Sequence, residues 1–210
     1  MKIRRRRSKT SYVKRMGRGL GVVLTLAFFS IAIVCLLGRW VFNPAPPMDP
    51  VRQEREAFFQ ELAPMSKEIA RQTGLKASVG LAQAALESDF GSSGLAQKYN
   101  NLFGIKAGPN EPQVLLETKE YENGEWIEIK APFRVYKSKE DCLWAHVRLL
   151  QNGTTWNANQ YQAVFLAQTV EEQVQALGSS GYATDPDYTA KLKEMIEQYQ
   201  LKRFDQLNEK

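Results

Sequence analysis

Hydrophobic and polar positions follow three different patterns along this chain. From Gly19 to Gly38 (GLGVVLTLAFFSIAIVCLLG) twenty successive residues carry no charge. A helix of that length, rising ~1.5 Å per residue, spans the ~30 Å hydrocarbon core of a bilayer. From Val51 to Thr73 the pattern becomes periodic. Phe58, Leu62, Met65 and Ile69 recur at i, i+4, i+7 and i+11, one stripe of an α-helix, and Gly74 is the residue type that closes such a helix. Between Ser78, a capping residue type, and Glu87 the apolar residues Val79, Leu81, Ala82, Ala84, Ala85 and Leu86 point all round, which predicts a buried helix.

The third pattern is that of β structure. QVLLETKEYE and EWIEIK flank Asn123-Gly124, a strong two-residue hairpin signal. That turn sets Glu120 opposite Ile127, on one face with Thr118 and Ile129, and pairs Tyr121 with Trp126 on the other. FRVY after Pro132 predicts a third strand. Helical patterns return from Ser138. SKED and TVEE have the form of capping boxes, Asp185 precedes Pro186 as cap before first-turn proline, and Tyr188, Leu192, Met195 and Tyr199 make a last apolar stripe. The fold class expected is α+β, mostly helical, with one small antiparallel hairpin and a transmembrane helix ahead of it.

Charge divides the chain further. Nine of its 28 Lys/Arg lie in residues 1–18 and Arg39 is a tenth, whereas all 23 acids follow Pro47. The remainder is thus net negative, about −5, and nothing in it suggests nucleic-acid binding. The basic tail instead orients the span, because arginines stay on the cytoplasmic side. The apolar run exceeds the ~7–15 residues of a signal peptide core and no small-x-small cleavage site follows it. The expected organisation is a cytoplasmic tail (1–18), a retained signal anchor (19–41), an extended proline-rich linker (42–50) and an outer domain (51–210). The protein would then sit in the cell membrane as a single-pass chain with that domain outside. Cys35 and Cys142 fall in different segments and do not pair. His146, the only histidine, belongs to no metal-ligand or triad motif and reads as a helix-face residue, so neither a metal site nor a cofactor is expected.

Glu87 is the residue this pattern least explains. A carboxyl ending a buried helix loses solvation and meets the negative end of the helix dipole, and both effects raise its pKa. A carboxylic acid that keeps its proton is what glycoside cleavage requires, since the leaving oxygen must be protonated. A solvated glutamate at a helix end is the ordinary alternative.

Five segments in order carry a resemblance: AQAALESDFG (82–91), NLFGIK (101–106), TKEYENG (118–124), FRVYKS (133–138) and GYATDPDY (181–188). Together they resemble the bacterial N-acetylglucosaminidases of the flagellar muramidase and autolysin type, glycoside hydrolase family 73, over about residues 55 to 205. Phe90 stands where that family commonly has Trp. The resemblance implies a lysozyme-like domain acting on peptidoglycan glycan strands, with a cleft and a mobile hairpin. It implies Glu87 as general acid and Glu120 as second carboxylate. Glu120 would activate a water, or the substrate's 2-acetamido group would act instead; Glu122 is its nearest competitor on the same face. Tyr182 would hydrogen-bond an acetamide or steady a charged intermediate, while Tyr188 falls on the core stripe. Asn101, Phe103 and Gly104 would line the cleft floor, or lock a loop, and Lys106 would pair an acid of the protein or a carboxylate of the wall polymer. A lytic transglycosylase on the same scaffold and a non-catalytic wall-binding module remain alternatives at this stage.

Overall fold

The computed structural model describes residues 49–122 and 125–206, with residues 119–122 and 125–126 described by backbone alone. The basic tail, the apolar run with Cys35, nearly all of the linker and the Asn123-Gly124 turn lie outside that range. Among the described residues no helix is long and apolar enough to cross a membrane.

Seven helices and one two-stranded sheet make up the described domain: α1 (Pro50–Thr73), α2 (Ala77–Ser88), α3 (Gly94–Tyr99), β1 (Gln113–Glu122), β2 (Glu125–Arg134), α4 (Lys139–Asn152), α5 (Gln162–Leu166), α6 (Val170–Ser179) and α7 (Tyr188–Gln198), with a closing 3-10 turn (Leu201–Phe204). The stripe of α1 is buried as its spacing predicts, through Phe58, Phe59, Leu62 and Ile69, and Gly74 ends it in a left-handed conformation. Pro64 lies within the same helix. An interior proline costs about 3 kcal/mol. Burying each of these large side chains returns about 1.5–3 kcal/mol, so the stripe outweighs the proline.

Helix α2 is the centre of the fold. Every residue from Ala77 to Ala85 is buried, as expected of a helix apolar on all sides. Its start differs from expectation. Ser78 lies inside the helix, and Lys76 occupies the capping position without a side-chain cap bond. The free backbone N–H of Ser78 donates instead to Oδ1 of Asp205, 2.8 Å away and 127 residues later. A carboxylate there satisfies an orphan donor and the positive end of the helix dipole together. No local reading reveals such a cap. Buried Gln173 of α6 works in the same way on the α1–α2 turn, accepting from Lys76 N–H and donating to the Gly74 carbonyl, each at 2.8 Å.

The hairpin has the expected register, with Glu120 opposite Ile127, Thr118 opposite Ile129 and Tyr121 opposite Trp126. FRVY does not form a third strand. β2 continues through Pro132 to Arg134, and a loop occupies its free edge: Lys106 bridges Phe133, and the Arg134 N–H donates to the Ile105 carbonyl at 2.9 Å. Proline lacks an N–H, and at the end of a two-stranded ribbon that loss is tolerated.

The later helices are capped unequally. Thr169 and Glu172 form a full capping box, whereas Ser138 accepts from Asp141 N–H without the reciprocal bond. Asp185-Pro186 forms a turn ahead of α7 and not its first residues. The Asp185 carboxylate accepts from Asp187 N–H at 2.9 Å, and the helix starts at Tyr188. Cys142 is buried and free, with its sulfur accepting the Leu102 N–H.

Candidate active site

The last turn of α2 carries Glu87, and the chain then bends through three consecutive left-handed residues: Asp89 (φ 49°), Phe90 (φ 53°) and Gly91 (φ 77°). Non-glycine residues in that region cost of order 1–3 kcal/mol each and persist only where the surroundings over-determine them. Here they do. Ser88 Oγ donates to the Ala84 carbonyl at 2.5 Å and accepts the Gly91 N–H at 2.7 Å. Phe90 packs edge-on against Phe58, Phe59 and Tyr199, and the Arg55 guanidinium lies 4.4 Å over its ring. The ring at position 90 is therefore a packing element that anchors the turn below Glu87.

Glu87 is open to solvent, yet enough protein surrounds its carboxyl to matter. Burial is the larger influence and raises its pKa above the usual carboxylate value; a hydrogen bond from Tyr188 opposes this by favouring the ionised form. Accessibility and lost solvation pull in different directions only in appearance. A carboxyl on a protein wall can be reached from one side and still lack water on the others.

Tyr188 is thus more than a core residue. Its hydroxyl donates to Glu87 Oε1 at 3.1 Å and accepts from the buried Gln83 amide at 3.1 Å. Tyr182 stacks on the Tyr188 ring, with centroids 5.4 Å apart and planes 24° from parallel. Burial raises the phenol pKa of both tyrosines, with the Glu87 charge adding to it, so both stay protonated. His146 lies on α4, as expected of a helix-face residue, and that face is turned inward. It is 2% exposed, and its ring lies flat on Phe103 at 3.8 Å while Nε2 meets the Tyr182 hydroxyl at 3.1 Å. Loss of solvation pushes its pKa down to about 3, so the ring is neutral.

The loop 101–106 divides into roles the sequence left open. Asn101 is 1% exposed, and its amide group is spent on the loop itself: Nδ2 donates to the Ile105 and Arg134 carbonyls, and Oδ1 accepts the Ile105 N–H. It locks the loop and has no amide hydrogen left for a sugar. Phe103 gives one face to His146 and is buried, so it supports the site from behind and does not pave it. Gly104 adopts φ +64°, and nothing stands within 4 Å of where a Cβ would be. Lys106 lies 4.2 Å over the Phe133 ring. Positions 120 and 122 fall by register on the ribbon face that carries buried Ala131 and Phe133 further along; the side chains of Glu120 and Glu122 lie outside those described.

The structure therefore brings Glu87, Tyr182, Tyr188, His146 and Phe103 into one connected group. Tyr188 and His146 are the members that sequence reading assigned elsewhere. Tyr188 stood in the same quoted segment as Tyr182, but its helical spacing was the stronger signal. The sign of its effect gives a prediction. Removing the hydroxyl in Tyr188→Phe takes away the bond that favours ionised Glu87, so the carboxyl pKa rises further. The alkaline limb of the kcat/KM profile then moves to higher pH. A limb that stays in place or moves to lower pH would show that Glu87 does not set it.

A carboxyl with raised pKa at the end of a buried helix, held by the Tyr188 hydroxyl, is an arrangement suited to giving a proton, the chemistry that a glycosidase needs. The chain belongs to the Glucosaminidase family, described as mannosyl-glycoprotein endo-beta-N-acetylglucosaminidase, which matches residues 63–201. That places the described domain among the glycoside hydrolases. The exo-glucosaminidase LytG of Bacillus subtilis is 39% identical over 155 residues, 74% of this chain and 55% of the relative. A probable N-acetylmuramidase of Lactococcus lactis is 37% identical over 163 residues, 77% of this chain and 37% of the relative. The catalytic domain of the autolysin Auto from Listeria monocytogenes superposes with a TM-score of 0.69 at 30% identity, over 80% of this chain and 94% of that one. A truncated glycoside hydrolase domain of Salmonella typhimurium FlgJ gives 0.56 at 39% identity, over 70% and 97%. The chain spans about half or less of the length of the first two relatives.

Proposed function

We propose that this protein is a membrane-anchored peptidoglycan hydrolase that cuts the β-1,4 bond between N-acetylglucosamine and N-acetylmuramic acid within glycan strands. The observation that carries the reading is the Glu87 carboxyl, partly stripped of water and held by Tyr188. In its protonated state it gives its proton to the glycosidic oxygen as the bond breaks. Positive charge then develops on the sugar ring. It is met from the other side by a water activated by Glu120, or by the substrate's own acetamido oxygen, with Tyr182 orienting that group. The reaction needs no metal or organic cofactor.

The related proteins bear names of both glucosaminidases and muramidases, and one is named an exo-enzyme. The bond is therefore tested directly. Purified peptidoglycan digested by residues 43–210 is expected to yield fragments with reducing N-acetylglucosamine ends and a broad range of lengths. Reducing N-acetylmuramic acid ends would overturn the bond assignment, 1,6-anhydro ends would indicate a transglycosylase, and release from strand termini alone would overturn the endo mode.

The anchor rests on the twenty-residue uncharged run behind nine basic residues. With it, the domain works on wall close to the outer membrane face, which suits trimming of new strands. Deleting residues 1–42 and supplying a cleavable secretion signal should release active protein into the medium. Retention of that form on membranes would show that something other than the apolar run holds it.

A further inference from the structure

The single histidine has no part in the proton transfer just described, yet it is buried against a site tyrosine. Its ring is fixed in three ways. It lies flat on Phe103, its planes 7° from parallel; it meets Tyr182 edge-on at 83°; and Nε2 sits 3.1 Å from the Tyr182 hydroxyl. Such a ring has little freedom to turn, so the one hydrogen between Nε2 and the hydroxyl decides what Tyr182 can offer a ligand.

We propose that His146 is a positioning residue whose Nε2 takes the hydroxyl hydrogen of Tyr182, leaving the phenol oxygen as an acceptor for the N–H of a 2-acetamido group. The inference deepens the glycosidase reading and rests on it for the identity of the ligand. Two considerations support this direction of the bond. A phenol is the more acidic partner and so the better donor, while a neutral imidazole nitrogen is the better acceptor. A neutral ring has one nitrogen of each kind, and burial keeps this ring neutral.

The consequence is orientation. With the hydrogen turned inward, Tyr182 presents an acceptor to the 2-acetamido N–H and not a donor to its carbonyl, which fixes the way round that the group is held. Neighbouring Tyr188 leaves this arrangement undisturbed, because its own hydrogen goes to Glu87.

Untagged protein holds one histidine, so its ring nitrogens can be assigned without variants. Long-range ¹H–¹⁵N correlation at neutral pH should show protonated Nδ1 and bare Nε2. Protonated Nε2, or a charged ring, would overturn the proposal, and this readout stands whether or not the protein cleaves peptidoglycan. Kinetics supply the second arm. His146→Phe keeps an aromatic ring on Phe103, larger by one ring atom, and loses both nitrogens; it is expected to lower kcat about tenfold with KM little changed, the loss of one aligned hydrogen bond. Introduced into Tyr182→Phe, it should cost nothing more. Full kcat in His146→Phe, or losses that multiply in the double variant, would show that the histidine does not act through Tyr182.

Discussion

Glu87→Gln is expected to lower peptidoglycan hydrolysis by about a hundred- to ten-thousand-fold, the span that general acid catalysis covers. Glutamine has nearly the same shape, and its amide oxygen can still accept from the Tyr188 hydroxyl 3.1 Å away. What it lacks is a proton it can give to a leaving oxygen. The same substitution should leave the melting temperature unchanged or slightly raised. Burial disfavours the ionised form of Glu87, and a neutral amide avoids that cost. Lost turnover with intact stability is therefore the signature sought, read by reducing-end release beside thermal unfolding. If the variant digests wall at the wild-type rate, Glu87 merely closes a helix, and the proposed chemistry must be assigned elsewhere.

Gly91→Ala is expected to damage the enzyme from a position that touches no sugar. Gly91 sits at φ +77°, and a Cβ there would stand 3.0 Å from a ring carbon of Phe58. The backbone conformation costs roughly 1–2 kcal/mol for any residue with a side chain. The contact adds more, because Phe58 is buried and wedged against Phe59 and Phe90 and has nowhere to go. The turn must shift, and it is joined to Glu87 through Ser88. A displacement of about 1 Å in a catalytic group can cost on the order of a hundredfold in rate. Both a lower melting temperature and a drop in kcat measured well below it are expected. Native turnover in a folded variant would show that the turn does not set the position of the acid.

Much of this was legible in the sequence, for a common reason. Where a feature is local, the residues announce it: the buried stripe of α1, the all-round apolar α2, the register of the hairpin and the capping box at Thr169. Periodicity and turn chemistry act over a few residues and leave a signature there. What escaped was non-local. The cap of α2 comes from Asp205, the free edge of β2 is covered by residues 105–107, and His146 acquires its setting from Phe103 and Tyr182, both distant in sequence. Tyr188 shows the same limit from another side. Helical spacing identified it as interior, which it is, at 4% exposure, but spacing says nothing about where a hydroxyl ends. Asn101 was open between ligand and loop-lock, and only its three hydrogen bonds decide for the lock.

The bond from Ser78 to Asp205 has a bearing on how the domain comes into being. During synthesis, the first turn of the central helix waits for a partner made 127 residues later. Closing so long a loop is slow compared with winding a helix. A chain not yet made as far as Asp205 would lack that seal, so the shape around Glu87 settles only after that residue has joined the fold.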